Sequence, residues 1–269
     1  MKFACCTELF TEVPIGELYA IIRQCGYNGV EIAPESIFAD PEQPTDSEVR
    51  AVRSALRDSD LALAGFHWVL RKPSRLNLLS DDFATRERSW DLLCRLTTVL
   101  EELGGAVMVI GSGNQRRRVG MSHHAAMRLL RDKLRQLCDR TPECSVVYCL
   151  EPLPPSRSNV LNTLREVDET VRAVGRNRVQ AVFDFRNAGY ETAGWTDLIR
   201  THRDIIRHVH VSEPDGTHPS VHSRHFVRPL TELSGVLYGG WVSAEPLRIT
   251  KPPREAIAEM ISCLRCGGA

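Results

Sequence analysis

Four short apolar stretches end in groups able to hold a cation: "SVVYCLE" closes on Glu151, "VQAVFD" on Asp184, "IRHVH" on His210 and "GWVSAE" on Glu245. A carboxylate that follows a run of β-branched and aliphatic residues sits where an unpaired charge is costly, so it calls for a cation, an arginine or a hydrogen-bond network. Three carboxylates and one imidazole form a hard, oxygen-rich donor set. Such a set suits Mn²⁺ first, with Mg²⁺ or Co²⁺ as alternatives, and the lack of cysteine in it argues against a structural zinc. One glutamate or histidine at a strand end is usually a satisfied structural residue, but four on successive strands point to a site.

The segment "HVHVSEPDG", residues 208–216, carries the same logic. Strand alternation puts His208 and His210 on one face and Val209 and Val211 on the other. His210 is expected as a ligand, His208 as a group one layer deeper in the same lumen, and the valines as contacts to helices. Glu31 ends "GVEI", and His67 and Trp68 end "LALAGFHW". Glu31 and His67 stand alone in the sequence and are read equally as substrate contacts or as structural hydrogen-bonding groups, while Trp68 could stack on a sugar face or pack in the core.

Positioning these residues requires a particular arrangement of elements. Eight apolar runs recur ("KFACCT", "GVEIAP", "LALAGFHW", "AVMVIGS", "SVVYCLEP", "VQAVFDF", "IRHVHVSE" and "GWVSAEPL"). Segments with helical spacing separate them, among them "IGELYAIIRQCGY", "DSEVRAVRSALRDSD", "RERSWDLLCRLTTVLEELGG", "HHAAMRLLRDKLRQLCDR" and "NTLREVDETVRAVG". Gly26, Gly104 and Gly175 stand where left-handed helix caps belong. Continuously apolar strands joined by crossover helices imply a parallel sheet buried on both faces, and eight such units imply a single (β/α)8 TIM barrel over residues 1–269, with a doubly wound open sheet as the alternative. In a barrel of this kind chemistry belongs at the C-terminal strand ends, which is where the acids and imidazoles fall.

Composition narrows the function classes. The 42% hydrophobic and 25% charged content is that of a globular chain with a substantial core. Basic and acidic residues balance at 34 each, so no global positive field exists to hold nucleic acid. No apolar run reaches the roughly 18–20 residues of a membrane span, and the start "KFACCTELF" lacks a leader pattern; a cytoplasmic protein is expected. The odd cysteine count suggests reduced thiols, and the single CxxC pair, Cys263 and Cys266, is read as structural.

The loops add further candidates. "PPSRSN" and the run from Gly216 to Arg228 are long enough to border a site. "HWVLRKPSR" and "GSGNQRRR" bring Arg71, Lys72 and Arg116 to Arg118 near the expected mouth, where they could bind a phosphate or carboxylate; Arg116 is kept as a substrate-binding candidate, although such arginine runs are usually solvated. His218, His222 and His225 are expected to be solvated. "GSGNQ" lacks the third glycine of a dinucleotide fingerprint, which argues against a nicotinamide enzyme.

In their order and spacing, "GYNGVEIAP", "LEPLPP", "FDFRNAG", "HVHVSEPDG" and "AEPL" resemble the sugar phosphate isomerase/epimerase family, the xylose isomerase-like barrels that include ketose 3-epimerases, over nearly the whole chain. The steps from Glu151 to Asp184 (33), Asp184 to His210 (26) and His210 to Glu245 (35) look like those of ketose 3-epimerases. The resemblance implies that Glu151, Asp184, His210 and Glu245 bind the metal and that Glu151 and Glu245 form an acid/base pair, giving epimerisation or isomerisation of a ketose, polyol or cyclitol through a metal-stabilised enediolate. It also implies a homo-oligomer, since members are often dimers or tetramers. The chain departs from the epimerase pattern at Asn187, where a histidine is common, and in "EPDGTH", where an arginine is common; Asn187 is carried as a substrate-binding candidate. Endonuclease IV, of the same family, has a denser histidine set than this chain. An inosose-like dehydratase and a non-catalytic sugar-binding barrel remain as alternatives.

Overall fold

Every strand forms from one of the apolar runs. In the computed structural model, which describes residues 1–73, 75–236 and 238–268, they are β1 (Lys2–Cys6), β2 (Gly29–Ile32), β3 (Ala62–Phe66), β4 (Val107–Ile110), β5 (Val147–Leu150), β6 (Val179–Asp184), β7 (Ile206–Val211) and β8 (Trp241–Ala244). All neighbours are parallel, and β1 pairs with both β2 and β8, so the sheet closes in sequence order. The open-sheet alternative is thereby excluded in favour of the (β/α)8 barrel.

The helices between strands are α1 (Ile15–Cys25), α2 (Asp46–Asp58), α3 (Phe83–Glu102), α4 (His123–Arg140), α5 (Leu164–Val174), the short α6 (Phe185–Ala188), α7 (Trp195–His202), α8 (Val227–Gly235) and α9 (Pro253–Gly268). α5 shows why they form and dock. Thr163 caps its start by accepting from the Glu166 amide at 3.2 Å, Leu164, Val167, Val171 and Val174 make one buried stripe, and Gly175 ends it at φ 63°. Each buried aliphatic of that stripe contributes about 1.5–3 kcal/mol against exposure. Gly26 and Gly104 also take positive φ after their helices, as expected.

α7 and α8 were not legible as periodic segments. α7 has eight residues and no side-chain cap, and α8 carries Pro229 in its first turn, so each depends on packing beneath it rather than on local signals. The run from 216 to 228, expected as a loop, tightens into a 3-10 turn at Arg224–Phe226 and enters α8. Among the described residues no helix is long and apolar enough to cross a membrane.

Candidate metal centre

β5, β6, β7 and β8 bring Glu151, Asp184, His210 and Glu245 to one end of the barrel, buried, with one ligand atom from each lying within 4.8 Å of the others. Register explains the convergence: Asp184 pairs with His210, and His210 with Ser243, two residues before Glu245. Main-chain bonding of the Glu245 amide to the Val211 carbonyl at 3.0 Å carries the pattern past the end of β8.

Asn187 ties two of these groups together. Its Nδ2 donates to Glu151 Oε1 and to Asp184 Oδ2, both at 2.8 Å, and its main-chain N–H donates to Asp184 Oδ1 at 3.0 Å. Among the described residues, two buried polar atoms in the cluster, His210 Nδ1 and Glu245 Oε2, have no hydrogen-bond partner although they face each other at 3.1 Å. Burial, followed by the charges of Asp184 and Glu245, pushes the Glu151 carboxyl well above its usual range. Crowded carboxylates together with orphaned donor atoms are what a divalent cation would relieve, so the residues fit such an ion.

Gly111, just past β4, makes this packing feasible. A Cβ there would lie 1.6 Å from Glu151 Oε2. The "GSG" segment therefore leaves room for a carboxylate, a role the sequence reading did not see.

Glu31 and His67, read as isolated, belong to a chain of alternating carboxylates and imidazoles across the lumen. His67 Nε2 meets Glu8 Oε2 at 3.0 Å and its Nδ1 meets Glu245 Oε1 at 3.1 Å. His210 Nε2 donates to Glu31 Oε1 at 3.0 Å, and His208 Nε2 to Glu31 Oε2 at 2.7 Å. His208 thus occupies the deeper layer expected of it, and Val209 and Val211 join the core. Burial disfavours the His67 cation, but Glu8 and Glu245 outweigh it and raise its pKa to about 10. Burial likewise opposes ionisation of Glu245, yet the His210 and His67 imidazoles hold its pKa well below the ordinary carboxylate range. Glu8 escaped the sequence reading; its place two residues past β1 is close to the strand-end signal that marks the other groups.

A cavity of about 510 Å³ opens above the cluster, lined by Glu151, Glu245, Trp68, Gln115, Arg157 and Arg186 among others. Trp68 sits at its rim with φ 51°, a backbone region costing a bulky residue about 1–3 kcal/mol. Its ring lies 4.4 Å from the Arg71 guanidinium, which also pairs with Glu35 at 3.2 Å.

Two loop expectations need correction. Arg116 is not solvated: it is fully buried, and its guanidinium donates to the carbonyls of Ile110 at 2.6 Å and Glu151 at 2.7 Å, because the turn at Asn114–Arg116 directs it inward. His218 is also buried, with Nε2 3.3 Å from Glu259 Oε2, whereas His225 remains exposed beside Glu213. The CxxC pair lies on α9, Cys263 buried and Cys266 exposed.

A family model for the xylose isomerase-like TIM barrel matches residues 19–265. A 3-dehydro-D-guloside 4-epimerase from Escherichia coli (strain K12) is 22% identical over 284 residues, covering 98% of this chain and 99% of that protein. A D-psicose 3-epimerase from Agrobacterium fabrum is 24% identical over 84% of this chain and 76% of its own length. Of solved structures, the apo 3-keto-D-glucoside 4-epimerase from E. coli superposes with a TM-score of 0.85 at 20% identity, covering 98% and 99% of the two chains. D-psicose 3-epimerase in the presence of D-fructose gives 0.78 at 20% identity, covering 96% and 89%. The family match takes in most of the barrel, from α1 into α9 and across all four strands that carry the cluster, and the chain belongs to the xylose isomerase-like TIM barrel family.

Proposed function

We propose that the chain is a divalent-metal-dependent sugar epimerase or isomerase that moves a proton at the carbon next to the carbonyl of a ketose or related polyol, with Mn²⁺ as the favoured ion. One observation carries this reading: Glu151 and Glu245 belong to the same four-residue cluster and both line one cavity. The similarity to epimerases of keto sugars supports it. All nine cysteines are free, which suits a protein acting in the reducing cytoplasm.

Glu151, Asp184, His210 and Glu245 would hold the ion, and its Lewis acidity would make the C–H beside a carbonyl more acidic. Glu245, kept ionised by two imidazoles, is suited to remove that proton. Glu151, which lines the same cavity, would be the second group of the pair and would return a proton to that carbon. Asn187 fixes the orientation of Glu151 through its Nδ2, and Trp68 offers a ring to the apolar face of a sugar.

The test is exchange in D₂O. Protein loaded with Mn²⁺ is incubated with ketoses, phosphorylated ketoses and inososes, and the C–H next to the carbonyl is followed by NMR. Deuterium should enter one substrate and its epimer or isomer, and Glu151→Gln should abolish the exchange. Loss of water from the substrate would assign a dehydratase instead. Failure to bind a divalent ion, with no exchange, would overturn the reading.

A further inference from the structure

Two arginines inside the protein have opposite surroundings. Arg116 is fully buried and has main-chain carbonyls for two of its nitrogens. Arg186, on α6 beside the metal cluster, has a side chain only 8% exposed, yet among the described residues its guanidinium makes no hydrogen bond. Its Nε is buried without a partner, and its nearest carboxylate, Asp184, is 3.8 Å away. A guanidinium presents up to five N–H donors in a fixed fork, and burying them unpaired is costly.

The fork faces usable space. Arg186 lines both the main cavity and a smaller adjoining one of about 220 Å³, which is bordered by Arg157, Asn187, Tyr190 and Asp215. Arg157, from the "PPSRSN" loop, lines both cavities as well, and among the described residues it has no ion-pair partner. The acid on this wall is already engaged: Asp215 accepts from Thr217 Oγ1 and from Arg248, each at 2.5 Å. Arg71, across the main cavity, is taken up by Glu35 and the Trp68 ring. Of the arginines lining the main cavity, Arg186 and Arg157 are the two free to receive an anion.

We propose that Arg186, with Arg157 at the rim, forms an anion subsite that selects a substrate bearing a carboxylate or phosphate. An oxyanion matches the guanidinium fork with two parallel, charge-assisted hydrogen bonds, which a sugar hydroxyl cannot do. This inference rests on the epimerase reading for the identity of the occupant as a sugar, but the subsite itself is readable by binding alone.

Calorimetry on the Mn²⁺-loaded protein tests it with fructose, fructose 6-phosphate and 5-keto-gluconate as probes, in wild type and in Arg186→Met, which keeps the side-chain volume. One anionic ketose should bind about 30-fold or more tightly than fructose, and Arg186→Met should remove that advantage. The phosphate and carboxylate arms then identify the anion. Arg186→Lys should retain part of the preference, and Arg157→Ala, at an exposed position where folding is not at stake, should weaken it about threefold and reduce its salt dependence. Equal binding of all three probes, a preference that survives Arg186→Met, or binding of fructose alone would overturn the subsite while leaving the epimerase reading intact. An anion preference lost in Arg186→Met, in a protein that exchanges no substrate hydrogen, would uphold the subsite and count against the epimerase reading.

Discussion

Glu31 Oε1 accepts from His210 Nε2 at 3.0 Å, which leaves Nδ1 as the nitrogen of that ring facing Glu245 across the metal cluster. A ligating histidine commonly gives its other N–H to a carboxylate, which fixes ring orientation and raises basicity. Glu31 is therefore a positioning residue, and Glu31→Gln should lower divalent-metal affinity by about 10- to 100-fold while the barrel stays folded. Metal titration with circular dichroism as the folding control checks this. Unchanged affinity would mean that His210 is oriented without Glu31.

Gly111→Ala offers a way to disturb the centre without removing a donor. The added methyl meets the end of a flexible side chain, Glu151, so the carboxylate must swing away while the backbone stays in place. The expected outcome is near-normal stability with metal affinity and any turnover reduced at least about tenfold, as a misplaced ligand or reacting group would cause. Retained affinity would show that the Glu151 carboxylate can shift and still serve.

Protons compete with the ion. Burial and neighbouring carboxylates raise Glu151, and although burial disfavours the His210 cation, Glu245 and Glu31 raise that imidazole well above its usual value. Metal uptake must displace these protons, so affinity should rise with pH, and titrations in buffers of different ionisation enthalpy should reveal proton release. The metal-free protein should behave oppositely. His67, raised from 6.5 to about 10, contributes stability that is complete below pH 6.5 and lost as pH climbs towards 10. Glu151 works in the same direction, because a carboxyl with a raised folded-state pKa favours folding less once it ionises. The gain in melting temperature on adding metal should therefore widen with pH, and a constant gain would contradict this scheme.

The barrel was legible because parallel strands buried on both faces read as unbroken apolar runs, and the four donors because acids and imidazoles at the ends of such runs stand out. What was not legible depends on distances that sequence does not encode. Glu31 and His208 are 177 residues apart in the chain and 2.7 Å apart in space, so the pairing that rescues each from isolation could not be inferred from either. Arg116, Arg117 and Arg118 form one uniform run, yet a single 3-10 turn sends the first into the interior. Arg186 offered no pattern at all, since its importance lies in the hydrogen bonds it lacks.

Arg116 separates a structural role from a substrate role. Its guanidinium bonds to the carbonyls of Ile110 and Glu151, tying the ends of β4 and β5 together directly behind the Glu151 side chain. Replacing it with methionine keeps much of the volume but leaves the buried Glu151 carbonyl bare and the Ile110 carbonyl with only the longer bond from the Glu151 N–H at 3.4 Å, so a loss of about 1–3 kcal/mol in denaturant unfolding is expected. Lysine restores the charge without the fork and should recover only part of that loss. Metal affinity should fall alongside stability in both variants, because the strand end that carries Glu151 is no longer held. A substrate-binding arginine would give a different pattern, in which Arg116→Lys leaves stability and metal affinity near wild type and raises KM alone. Measuring unfolding, metal binding and KM on the same two variants therefore assigns the residue.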